Sequence, residues 1–168
     1  MRRISLAAVL GTGLMLSACS SETSGTFEGE DGETGEYSID EGTGEASATI
    51  ETEAGTATMR SGSTVPVDLP AGFTLYPGAE VVTNTVVSQG EGQGALLTMT
   101  SSDSPEEVAA FYKQQAEKAG VEIQMELSVN DGKMIGGASP DGLTFSINAS
   151  PSPEGTSAQL AVGTDFGG

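Results

Sequence analysis

Histidine and tryptophan are absent from this chain of 168 residues, cysteine occurs once, and six basic residues stand against 24 acidic ones. Without histidine, neither a Ser-His-Asp nor a Cys-His arrangement can be built, and imidazole ligation of a metal is excluded. The usual acid-base group at neutral pH is missing too. A single thiol excludes an intramolecular disulfide. A chain this poor in Lys and Arg cannot gain from counterion release, which excludes nucleic acid as a partner.

The remaining routes to chemistry close one by one. Gly137-Ala138-Ser139-Pro140-Asp141 fails as a nucleophile elbow at its last position. The glycines from Gly90 to Gly94 lack the third spacing of a dinucleotide loop and read as a turn, and Gly132-Lys133 is followed by Met134 rather than the hydroxyl of a phosphate loop. Glu122 and Glu126 could form a carboxylate pair, but two-carboxylate glycosidases work in clefts with aromatic sugar platforms. Glu28, Glu30, Asp31 and Glu33 offer oxygen ligands of the kind calcium takes, yet at no ordered loop spacing, so a solvated acidic run is the plainer reading. Met99, Met125 and Met134 fall at apolar strand positions and read as core rather than as a soft-metal site. The expectation is a protein that is not an enzyme and takes no cofactor and no catalytic metal.

What is present begins at the N-terminus. Arg2 and Arg3 precede Ile4 to Leu16, an apolar stretch of 13 residues, long enough for a signal h-region and short of the ~20 residues of a spanning helix. Leu16-Ser17-Ala18-Cys19 follows and resembles the lipobox of bacterial lipoprotein precursors. That resemblance implies removal of residues 1–18 as a signal peptide, lipidation at Cys19, and attachment to the membrane through acyl chains at the cell envelope. Ser20 stands where an inner-membrane retention signal would favour Asp, which implies the outer membrane, facing the periplasm, in a Gram-negative cell. Loss of Arg2 and Arg3 leaves four basic against 24 acidic residues, a net charge of about −20.

Residues 19–64 are rich in Gly, Ser and Thr, with 11 acidic residues and one basic, Arg60. Two readings stand: a disordered tether, or a small β-meander over residues 36–60, where polar and apolar residues alternate between Gly-rich turns. Val65-Pro66-Val67-Asp68-Leu69-Pro70 marks a boundary, and residues 65–168 are enough for one small globular domain. Leu75-Tyr76-Pro77-Gly78-Ala79 resembles an entry motif of uncharacterised bacterial envelope lipoproteins, a resemblance that implies no activity.

One helix is strongly signalled. Ser104 suits the cap, Pro105 the first turn and Glu107 the reciprocal position of a capping box. Val108, Phe111, Tyr112, Ala116 and Ala119 share one face, and Gly120 closes the helix. Phe111 is expected at the centre of that face, against Ile123, Phe145 and Leu160. Alternation places Val121, Ile123, Met125 and Leu127 inward, with Leu143 to Ala149 and Ala158 to Val162 repeating the pattern. The expected fold class is α+β: one amphipathic helix on an antiparallel sheet, order β-β-α-β-β-β-β, preceded by the tether or meander. The expected function is a lipid-anchored interaction module. It would present Glu122, Gln124, Glu126, Thr144, Ser146, Asn148 and Gln159, or a sheet edge, to an envelope protein partner. The alternative is a structural or surface-charge lipoprotein whose acidic tether binds divalent cations.

Overall fold

A computed structural model describes residues 22–28, 34–52 and 55–164. The signal segment, Cys19, Glu30, Asp31 and Glu33 lie outside the described residues. Among the described residues ten strands occur in chain order: β1 (Glu22–Glu28), β2 (Thr34–Asp40), β3 (Glu45–Thr52), β4 (Gly55–Gly62), β5 (Glu80–Gln89), β6 (Gly92–Ser101), β7 (Glu122–Val129), β8 (Gly132–Ala138), β9 (Leu143–Ser152) and β10 (Gly155–Thr164). The helix α1 (Pro105–Lys118) stands between β6 and β7. All ten strands form one sheet in the order β1-β2-β3-β4-β5-β6-β10-β9-β8-β7, antiparallel throughout.

This overturns the expected fold class. The described residues form a ten-stranded antiparallel sheet carrying a single α-helix, not a helix on a small sheet with a separate leader. The physical reason is the β4–β5 ladder, which runs from Ala57 opposite Gln89 to Gly62 opposite Asn84. The alternating segments before Val65 satisfy their backbone on the open side of β5, so they widen the main sheet instead of folding apart from it.

The helix forms where its signals lie. The Ser104 hydroxyl accepts from the Glu107 N–H and the Glu107 carboxylate accepts from the Ser104 N–H, completing the capping box. Gly120 follows at φ +84°, in the left-handed region that ends helices. The helix lies across β7 to β10, and its fully buried residues are Val108, Ala109, Tyr112 and Ala116. Phe111 is only partly buried and stacks edge-on between Tyr76 and Tyr112, so Tyr112 holds the central position expected of Phe111. Beneath it sit Leu97, Met99, Ile147 and Leu160, each essentially without exposure. Phe73 stacks on Phe145 from the segment that enters β5. Among the described residues, every buried apolar side chain falls between Val65 and Val162.

Register defines the two faces of the sheet. One is covered by α1 over β7 to β10; the other, the outer face, carries no helix among the described residues. Pairing of Thr85 with Leu96 and with Ser61, and of Met59 with Val87, carries the outer face across into the first four strands. There it holds Phe27, Tyr37, Ile39, Ala48, Ile50 and Met59.

Candidate surface at the free β7 edge

Strand β7 closes one side of the sheet, and among the described residues no strand lies beyond it. Its first half follows the expected alternation, with Ile123 opposite Gly137 and packed against the core. The register then slips: Ile123 pairs with Gly137 but Met125 pairs with Gly136, leaving Gln124 as the extra residue of a bulge. From that point the faces exchange. Met125, Leu127 and Val129 turn to the outer face opposite Gly136, Met134 and Gly132, and Glu126, opposite the buried Ile135, turns to the helix.

The expected candidate residues therefore divide. Thr144, Ser146 and Asn148 of β9 and Gln159 of β10 share the outer face, with Asn148 directly opposite Gln159, and all four are exposed. Glu122 belongs to the same face, opposite Ala138. Gln124 sits in the bulge. Glu126 does not join them: it forms a 2.6 Å ion pair with Lys113 of the helix, which holds the Glu126 carboxyl below the usual carboxylate range and raises the Lys113 ammonium.

The bulge adds an element that alternation alone conceals. Leu127 and Val129 are 49% and 66% exposed, and Met125 and Met134 join them in an apolar patch beside the free edge. Leu127, Val129 and Met134, with Asn148, Ser150 and Pro151, line an open groove of about 380 Å³. Met125 and Leu127 were expected in the core, and Met134 likewise; all three are outside it. The sequence did hold a signal, the paired Gly136-Gly137 in the facing strand, since glycine within a strand marks a bulge or a close approach. A Cβ on Gly137 would overlap the Glu122 carbonyl, so the bulged strand sits where only glycine admits it.

The most strongly shifted side chains lie elsewhere and serve the core. The Tyr76 hydroxyl donates to Asp103 Oδ2 at 2.6 Å, and the Tyr76 N–H donates to the Tyr112 hydroxyl at 2.9 Å. The hydrogen bond to Asp103, with burial, pushes Tyr76 up to about 12; burial above all does the same to Tyr112. Both stay protonated near neutrality, and their hydrogen bonds brace the helix against the entry segment. Among the described residues no three Asp, Glu, His or Cys side chains converge as a metal site, and no helix is long and apolar enough to cross a membrane.

Residues 80–157 match a family model described as START domain-like. The matched stretch runs from β5 into β10 and includes the helix, and it takes in none of β1 to β4. No curated protein and no solved structure matches the chain. The Leu75 to Ala79 motif stops at the residue before the matched stretch begins.

Proposed function

We propose that the chain is a non-catalytic interaction module, anchored by lipid at Cys19 to the bacterial cell envelope, that docks an envelope protein along its free β7 edge. The observation that carries this reading is the bulge at Gln124, which turns Met125, Leu127 and Val129 out beside the free edge of β7. A free edge offers a row of backbone donors and acceptors, and the patch next to it offers pockets for alternate side chains of an incoming strand. The chemistry of the surface selects an extended, largely uncharged segment. Asn148 and Ser150, which line the groove with Leu127, Val129 and Met134, supply polar groups at its side, and Glu122 is the one carboxylate among the outer-face paired positions of β7.

The anchor is argued from residues: basic start, short apolar run, and Leu16-Ser17-Ala18-Cys19. If the cell is Gram-negative, Ser20 favours the outer membrane, with the domain facing the periplasm. Two measurements test the reading. Cys19→Ser is expected to accumulate as an uncleaved precursor that fails to partition into detergent; normal processing of this variant overturns the anchor. For docking, a photo-crosslinker at position 129 in native envelopes is expected to capture one partner in stoichiometric amount, and Leu127→Asp to abolish the capture. A yield unchanged by Leu127→Asp overturns the edge as the docking surface.

A further inference from the structure

The first four strands are sharply two-faced. Glu22, Glu36, Asp40, Glu45, Glu51 and Arg60 occupy one side, the side on which the helix lies further along the sheet. The outer side of the same strands carries Phe27, Tyr37, Ile39, Ile50 and Met59 and no charged residue at any paired position. Phe27 and Tyr37 lie over glycines of the neighbouring strand, Gly35 and Gly25, where a Cβ would strike their rings. The pairing is reciprocal, so β1 and β2 are built to hold two aromatic rings flat on an exposed surface. In a chain with a formal charge of −18, an uncharged apolar face across four strands is a segregated surface rather than an average one.

From this we infer that the outer face of β1 to β4 rests on the lipid bilayer. The inference depends on the anchor at Cys19 proposed above, which fixes the geometry: β1 begins at Glu22, and the three residues from Cys19 reach at most about 10 Å. A lipid at Cys19 therefore holds β1 within one short span of the headgroups. Of the two faces it could turn to them, one is a field of carboxylates repelled by anionic lipid. The other presents aromatic and aliphatic side chains of the kind that settle at a membrane interface. With that face down, the carboxylates stand on the far side of the sheet, roughly a Debye length (~8–10 Å) from the surface.

The absence of tryptophan allows a single reporter at any position. The full lipidated chain, carrying Met59→Trp or Ile39→Trp on the outer face, or Thr58→Trp or Glu36→Trp on the other, is reconstituted into vesicles of brominated phosphatidylcholine and floated on a density gradient. Loss of emission at positions 59 and 39, with emission kept at 58 and 36, is the expected result; positions 58 and 59 are adjacent, so depth along the strand cannot explain a difference between them. Flotation with emission kept at all four positions, or lost equally at all four, overturns the bilayer contact and leaves the anchor standing. A chain that does not float overturns both. Emission at 59 that is shielded without vesicles, in a species sedimenting as a dimer, assigns the face to a second copy and overturns the bilayer contact as well.

Discussion

Tyr112 is the residue on which helix, sheet and entry segment meet. Its ring is without exposure, its hydroxyl accepts from the Tyr76 N–H and donates to Met99 Sδ, and its edge packs on Phe111. Tyr112→Ala is expected to cost about 3–5 kcal/mol, most of the stability of a domain this size, and Phe111→Ala distinctly less, as read from urea unfolding midpoints. Equal losses would place the two rings in equivalent positions. The helical spacing made both legible as members of one face, but a periodicity of 3.6 cannot say which of two adjacent aromatics points to its centre. That is decided by Tyr76, whose backbone needs a buried acceptor. The same hydroxyls set the alkaline limit. Their folded values are raised from 10.0 to about 12, so they stabilise the fold fully below pH 10 and lose that contribution as pH rises from 10 through about 12. Melting temperature should fall across that window, and Tyr76→Phe should reduce the fall.

Among the elements, the helix was legible end to end and strand β7 was not. Ser104, Pro105, Glu107 and Gly120 each have a local physical role, and each plays it here. Ser104→Ala should cost about 1 kcal/mol without altering helix content in circular dichroism; a neutral effect would mean that the N-terminal amides find other partners. In β7 the odd-numbered apolar residues suit a straight strand perfectly well. One unpaired residue, Gln124, reverses everything after it, because a strand has a period of two and a single insertion exchanges its faces. Nothing within β7 encodes this; only Gly136-Gly137 across the ladder hints at it. The same uncertainty of partner explains why residues 36–60 were readable as strands but not as part of the main sheet. Alternation specifies a face, whereas the neighbour is chosen by whichever edge is open.

At the scale of the whole molecule, the core and the sheet have different extents. All described buried apolar side chains lie from Val65 onward, whereas the sheet begins at Glu22. Residues 65–168 alone are therefore expected to melt cooperatively, but with β5 stripped of β4 they should also associate in a concentration-dependent way through the opened edge. An unfolded fragment would assign the first four strands to the folding unit. Burial can be read from composition, since residues 20–64 have few large apolar side chains; strand pairing between distant segments cannot.

Strands in a sheet rotate against one another by about 20° per step, and nine steps separate β1 from β7. At that average the accumulated turn would be about 180°, over a width of about 43 Å at ~4.8 Å per strand. A surface continuous in register would then look in opposite directions at its two ends. With Phe27 and Tyr37 facing downward, Leu127 and Val129 would face up and away. The sheet would then act as a standoff, with the near edge settled on lipid and the far edge held open, right side up, for a visitor arriving from the aqueous side.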